Sequence, residues 1–359
     1  MKKSFDEVFE DKTKYGTKIK ATEYYENGKY IIVDQGQNEV AGYTDLEKGL
    51  FTEVPVIVFG DHTRIIKYIN TPFFLGADGI KILRSKIKNA NYKYLYYALK
   101  NAKIPNTGYN RHFKWLKKVE VEYPEIEKQS IIVDILDNIC HIINARQQEL
   151  KKLDDLVRAR FVELFSGTYK EVVAEDVCTQ IIDCPHSTPK YDEENLIYPA
   201  IRTSEIQDGT ISWESMKYVG AVEYEKRIKR LKPEKGDIVY AREGTYGDCV
   251  ILPERHKFCL GQRTMLFRPD YRICTSAYLH AALRSDAVKR QADESNAGST
   301  VPHVNLADAK RFHFPLPPIE LQRRFADFVT QVDKSKAAVQ KALDETQLLF
   351  DSLMQEYFG

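Results

Sequence analysis

The chain has 359 residues, 43% of them hydrophobic and 29% charged, enough for two or three domains with a real core. Fifty-three Lys and Arg stand against 52 Asp and Glu, so a net charge of +1 does not announce a nucleic-acid binder. No apolar run approaches a membrane span and the first residues hold no apolar signal core, so an intracellular, cytoplasmic protein is expected.

Residues 1–122 read as a first globular segment. Residues 30–33 and 54–59 have the β-branched and aromatic character of strands, with turns at 60–61 and 76–79. Residues 91–103 read as a helix. From 81 to 118 there are eleven Lys or Arg and no Asp or Glu, interleaved with Tyr92, Tyr94, Tyr96, Tyr97, Tyr109, Phe113 and Trp115. An acid-free basic stretch of this kind is an electrostatic footprint for a polyanion, although a solvated helix face over a Tyr/Leu core gives the same pattern. A polar loop at 106–112 follows.

Residues 123–167 hold the first long helix. Leu136, Ile139, Ile143, Leu150, Leu153, Val157 and Leu164 keep a 3-4 rhythm, interrupted by Arg146 and Arg160. Neither Pro nor Gly occurs between Gln129 and Ser166, and Gly167 is a helix stop. Residues 168–315 form a second globular segment. Residues 236–242, 249–253 and 265–269 read as strands around a Gly244-Thr245-Tyr246-Gly247 turn, and 276–290 as one helix. Residues 316–359 form a second long helix, with Val329, Val332, Leu343, Phe350 and Leu353 on its seam and Lys336 breaking it.

The two helices are copies. A shift of 193 residues lays Pro124 on Pro317, Glu127 on Glu320, Gln129 on Gln322 and Phe165 on Phe358 without a gap. The globular segments echo each other more faintly: 56–59 parallels 237–240, and Phe74-Leu75-Gly76 parallels Cys259-Leu260-Gly261. A long-period repeat of this kind predicts two diverged modules on a helical spacer, which suits an extended two-part ligand.

Motifs for chemistry are missing. The chain has no phosphate-binding G-x-x-x-x-G-K-[ST], no G-x-G-x-x-G, no Asn/Asp-Pro-Pro-Tyr, no H-E-x-x-H and no G-x-S-x-G. Two E-x-K tripeptides, at 10–12 and 149–151, are at chance level. Asp183-Cys184-Pro185-His186-Ser187 reads as a proline turn rather than a triad. The six cysteines form no C-x-x-C pair, so reduced thiols and no metal site are expected.

In its layout the chain resembles the specificity subunit of type I restriction–modification enzymes. The resemblance rests on the two Pro-x-x-Glu-x-Gln-like helix starts and the Leu-Phe-Ser and Tyr-Phe-Gly helix ends. It also rests on the lead-ins at 106–113 and 298–303 and on Arg242-Glu243-Gly244-Thr245 and Leu260-Gly261-Gln262-Arg263. It implies an α+β fold: two similar α/β target-recognition domains joined by two long antiparallel coiled-coil helices, in a pseudo-twofold repeat. Each domain would read half of a split sequence in double-stranded DNA, and the helices would space them and dock two modification subunits. S-adenosylmethionine would belong to those partners, and ATP and Mg to restriction subunits; this chain would carry no cofactor and no catalytic residue.

For DNA contacts the expected residues are Lys18, Lys20, Arg111, His112 and Lys114 in the first domain. In the second they are Arg202, Arg242, Thr245, Arg263 and His303. The helix interface is expected at Gln129, Leu136, Ile139, Ile143, Leu150, Leu153, Gln322, Val329, Val332, Leu343, Phe350 and Leu353. A non-DNA adaptor assembling proteins on a coiled coil is the alternative reading.

Overall fold

A computed structural model of the chain describes residues 1–76, 79–108, 110–194, 196–244, 246–295 and 303–359. Two compact units emerge, one of residues 1–148 with 340–359 and one of 149–339. In unit 1 the chain runs β1 (Lys2–Ser4), α1 (Phe5–Val8), β2 (Phe9–Asp11), β3 (Tyr30–Val33), β4 (Gly42–Thr44), β5 (Val56–Gly60), β6 (Ile66–Ile69), β7 (Phe73–Leu75) and β8 (Ile80–Ser85). It continues through α2 (Tyr92–Lys100), α3 (Phe113–Leu116) and β9 (Glu120–Glu122) into the long helix α4 (Ile126–Phe165). One sheet has the order β2-β8-β5-β6, all antiparallel. A second has the order β4-β3-β7, with β3 and β7 parallel. β1 and β9 pair as a two-stranded ribbon at the root of the unit.

β5 is a continuous run of buried apolar residues because both its faces are covered. Ile57 and Phe59 face a cluster with Phe5, Phe9, Tyr94, Leu95 and the seam of α4. Val56 and Val58 face the opposite way, into a cluster with Phe73, Leu75, Ile80 and Ile82. The alternation is the period of two that a strand imposes.

Unit 2 repeats this plan. Its strands are β10 (Lys170–Val173), β11 (Cys178–Asp183), β12 (Tyr198–Ile201), β13 (Ile206–Gln207), β14 (Thr210–Ile211), β15 (Lys217–Val219), β16 (Ile238–Ala241), β17 (Cys249–Ile251), β18 (Cys259–Leu260), β19 (Thr264–Pro269) and β20 (His313–Leu316). The helices are α5 (Ala221–Arg227), α6 (Ser276–Leu283), α7 (Asp286–Ser295), α8 (Leu306–Lys310) and the C-terminal α9 (Ile319–Phe358). The sheet orders β11-β19-β16-β17 and β15-β12-β18 match those of unit 1 strand for strand, and the β12–β18 pair is again parallel. The β13–β14 hairpin has no counterpart among the described residues of unit 1. Ile238 and Tyr240 face the helices, and Val239 and Ala241 face away. The single helix expected over 276–290 is two. Ser285 breaks it and caps the second piece, its hydroxyl accepting the Val288 N–H at 3.3 Å.

The two long helices pair antiparallel within each unit. In unit 1 the early seam of α4 (Ile132, Leu136, Ile139, Ile143) packs with Phe350 and Met354 near the end of α9. Arg146 donates to the Ala342 carbonyl and, at 2.6 Å, to the Thr346 hydroxyl. In unit 2 Lys336 meets Asp154 at 2.6 Å, and Phe161 and Phe165 pack edge-on against Phe325. Arg160 pairs with Glu163 and lies over the Phe328 ring. The three basic residues that break the seam are thus bonded across it or along it. Among the expected interface residues, Gln129, Leu136, Ile139, Ile143, Gln322, Val332 and Phe350 are buried, and Leu150, Leu153, Val329, Leu343 and Leu353 are half-buried.

Both helix starts use one device. The amide of Gln129 donates to the Pro124 carbonyl at 2.8 Å, and that of Gln322 to the Pro317 carbonyl at 2.9 Å. Gln322 does more: its oxygen accepts the Thr275 N–H at 2.9 Å and its amide also donates to Ile273 O at 3.0 Å. The Pro-to-Gln spacing therefore ties each helix start to the segment ahead of it, and at Gln322 it also locks the helix to the globular part. All six cysteines are free thiols. No metal-ligand cluster occurs among the described residues, and none of their helices is long and apolar enough to cross a membrane.

Candidate nucleic-acid interface

In unit 2, four loops converge where β16 ends. The Arg242 N–H donates to Arg263 O at 3.0 Å, and the Arg242 carbonyl accepts the Val304 N–H at 2.9 Å. Glu243 bridges His303 through the backbone, and Asp183, at the end of β11, comes alongside. Gly244 and Gly247 let the chain turn here, with φ of +70° and +93°. Thr245 lies outside the described residues, as do residues 298–302 of the second lead-in.

The side chains form an alternating series. Arg263 Nε pairs with Glu243 at 2.9 Å, Glu243 with Arg242 at 3.7 Å, Arg242 with Asp183, and Asp183 with His186 at 3.7 Å. Its middle is covered, with Arg242 15% and Asp183 9% exposed. Its ends are open, with Arg263 65% and His186 72% exposed. Charge-assisted bonds in a covered site are short, directional and costly to break, so the middle fixes the loops. The ends keep donors for a ligand, since the terminal nitrogens of Arg263 hold no partner among the described residues.

The other residue expected here, Arg202, stands apart. It is forked onto the fully buried Glu205 and donates to Ser215 O at 3.0 Å. The hydrogen bonds of Arg202 hold the Glu205 carboxyl below its usual range against the cost of burial, so this pair serves the fold.

In unit 1, Asp61 takes the place of Arg242. Its N–H donates to Gly79 O at 2.6 Å, and its carbonyl accepts the His112 N–H at 2.8 Å. Its carboxylate accepts the Phe113 N–H at 2.7 Å. His112 is fully buried, with Nδ1 at 3.0 Å from Asp61 O and Nε2 at 3.4 Å from Thr107. That burial leaves the ring no surface to offer a ligand in this arrangement; its work is to hold the loop. Lys18, Lys20, Arg111 and Lys114 are exposed. Lys18 also sits in a backbone bridge to Leu75, and Lys114 lies over Trp115.

The basic stretch from 81 to 118 is partly neutralised from elsewhere in the chain. Lys81 pairs with Asp11, Arg84 with Glu53 and Lys93 with Asp137. Its aromatics are mostly core: Tyr94 and Tyr97 are buried, and Tyr94 donates to Glu122 O. Sequence reasoning passed over Asp183, His186 and Glu243. Asp183 and His186 had been noticed, but only as a turn; their partner Arg242 is far off in sequence.

The model of the type I restriction modification DNA specificity domain matches residues 1–153 and 167–346, one match on each repeat. The chain belongs to this family. It is 22% identical over 271 residues to the type I restriction enzyme EcoBI specificity subunit of Escherichia coli, across 66% of this chain and 56% of that protein. A putative MjaX specificity subunit of Methanocaldococcus jannaschii is 24% identical, across 48% of this chain and 41% of the relative. The chain thus spans about half the length of these relatives. The S subunit of a type I restriction–modification system from M. genitalium superposes over 100% of this chain and 96% of its own, with a TM-score of 0.60 at 16% identity. A chain from a study of type I complex assembly and conformational transition gives 0.51 at 16%, over 92% and 91%. The shared fold carries the two-domain, two-helix architecture of the specificity-domain family.

Proposed function

We propose that the chain is the DNA-specificity subunit of a type I restriction–modification enzyme, each unit reading one half of a split target in double-stranded DNA. The single observation that carries this reading is the repeated domain itself: two copies of one sheet topology, each matched by a DNA specificity domain. The acid–base series of unit 2 supports it, because a braced, exposed arginine is what two-point reading of guanine requires. Exposed Lys18, Lys20, Arg111 and Lys114 would neutralise phosphates in unit 1.

Catalysis belongs to partners in this reading. Two modification subunits with S-adenosylmethionine would methylate adenine, and restriction subunits would add ATP- and Mg-dependent cleavage. Apolar residues left exposed on the long helices, among them Ile131, Leu156, Val162, Leu348 and Leu349, favour docking of such subunits there. The near-zero net charge implies weak DNA binding by the chain alone. The test is gel shift on random duplex DNA, with and without a co-expressed adenine methyltransferase subunit. Selection of a two-part sequence only in the joint sample is expected; a complex that shows no sequence preference overturns the reading and leaves a protein adaptor.

A further inference from the structure

The two units differ at one sheet edge, and the difference leaves a site. In unit 1 the edge strand is β6, and a groove of about 560 Å³ runs along it. Four consecutive residues, 65–68, line the groove together with Arg64, Tyr96 and Lys100. Backbone alternation fixes which groups face it. Gly60 N–H donates to Ile65 O at 2.8 Å, so Lys67 and Ile69 pair inward with β5. The N–H and C=O of Ile66 and Tyr68 then point outward into the groove.

Unit 2 shows what such a groove accommodates. There the edge strand is β17, and the β13–β14 hairpin packs against it. At the hairpin tip Gly209 N–H donates to both carboxylate oxygens of Asp248, at 3.0 and 3.2 Å. Arg284, from the end of α6, pairs with the same carboxylate at 2.8 Å. The hairpin exists because the connection from β12 to β15 spans 202–216, whereas the matching connection in unit 1 spans only 34–41.

Aligning the two caps, Asn91 and Thr275, sets Lys100 at the place of Arg284, and aligning β5 on β16 sets Ile65 at the place of Asp248. Unit 1 therefore has the cation but neither the covering hairpin nor the carboxylate among its described residues. Lys100 has no carboxylate in ion-pair reach among the described residues; it lies over the Tyr96 and Phe350 rings. The guanidinium of Arg64 beside it donates to Ile104 O at 3.3 Å and meets no carboxylate among the described residues. Lys67, by contrast, is already satisfied by Asp34 and Asn38 O.

We propose that this groove docks an extended segment of a partner protein, laid along β6 with a carboxylate side chain against Lys100 and Arg64. Main-chain bonds to Ile66 and Tyr68 supply the affinity, as in strand addition generally, and the two cations supply the choice of partner. A polypeptide fits better than nucleic acid on two counts. Its edge backbone offers alternating N–H and C=O groups that an extended chain can pair, and the equivalent space in unit 2 is filled by polypeptide. The proposal stands apart from the DNA reading, since Arg64, Ile66, Tyr68 and Lys100 are not among the residues expected to contact DNA.

The test pans a display library of short random peptides on the full chain. Recovered peptides are expected to share an Asp or Glu among β-formers and to slow amide exchange at Ile66 and Tyr68. Lys100→Glu, a change at an exposed side chain, is expected to weaken them about tenfold or more, equivalent to 1.4 kcal/mol, with an unaltered melting curve. A peptide with Lys in place of its acid should recover the loss on that variant. Peptides without a common acid, affinity indifferent to Lys100, or no peptide at all overturn the proposal. So does protection of the same amides by a short DNA duplex but by no peptide, which would assign the groove to nucleic acid; none of these outcomes bears on sequence-selective DNA binding by the complex.

Discussion

Arg242 and Arg263 belong to one chain of ion pairs, yet their surroundings give them different work. Arg242 is covered and pairs with Asp183, so its removal strands that carboxylate without its main cation. Arg242→Ala is expected to destabilise unit 2 by about 1–3 kcal/mol, the cost of an unpaired buried group, read as a lower denaturant midpoint. Arg263→Ala should leave that midpoint within about 0.5 kcal/mol, as for other surface changes. If Arg263 reads a base, methylation across a sequence library should lose preference at one position by about 1–3 kcal/mol. Unchanged preference everywhere would take Arg263 off the reading surface. A second residue-scale effect concerns His280, half-buried between Arg284 and Cys249 O, with Nε2 at 2.9 Å from that carbonyl. Burial, reinforced by the Arg284 charge, lowers its pKa to about 4 from 6.5. The unfolded chain takes up this proton first, so the stability is full above about pH 6.5 and is lost as pH falls toward about 4. The expected slope is about 1.4 kcal/mol per pH unit at most. His280→Gln, whose amide can reach the same carbonyl, should flatten stability between those limits; an unchanged slope would assign the acid sensitivity to other groups.

At the scale of elements, the repeated glutamine separates what the two copies share from what one has added. Both donate to the proline carbonyl ahead of the helix, which explains why the Pro-to-Gln spacing is the same in each. Gln129 leaves its buried oxygen without a partner, whereas the oxygen of Gln322 holds Thr275 and its amide holds Ile273. Replacement by Leu, similar in volume, should therefore cost more at 322. Gln322→Leu orphans several buried groups at about 1–3 kcal/mol each, while Gln129→Leu orphans one carbonyl and also removes an unsatisfied atom. Equal losses in chemical denaturation would mean that the lock on α6 is idle. The helices were legible in the sequence because a seam is a local periodic signal, and even its basic interruptions were visible. Their partners were not: Arg146 bonds to a carbonyl and a hydroxyl on α9, and Lys336 to Asp154 on α4, pairings that only the antiparallel register brings together.

For the whole molecule, the sequence repeat foretold two similar modules, and the matching sheet orders bear that out. The hairpin of unit 2 and the bare edge of unit 1 escaped notice, because a longer connection between faint strands reads as loop. The same limit hid the acid–base series, whose members come from three separate segments. What the repeat does make testable is spacing. Both long helices run through the two units, α4 crossing at 148–149 and α9 at 339–340. Adding one heptad to each helix at these points keeps the seams in phase. It lengthens the spacer by about 10 Å at 1.5 Å per residue. At about 3.4 Å per base pair, the gap between the halves of the recognised sequence should widen by about three base pairs, while the bases within each half stay the same. Lengthening only α4 should instead disrupt the pair, since Lys336 with Asp154 and Arg146 with Thr346 can then no longer both be in register. Sequencing the methylated fraction of a library with variable gaps reads the outcome. A folded double-heptad variant that methylates at the original gap would show that something other than the helices sets the spacing, and would move that role to the docked subunits.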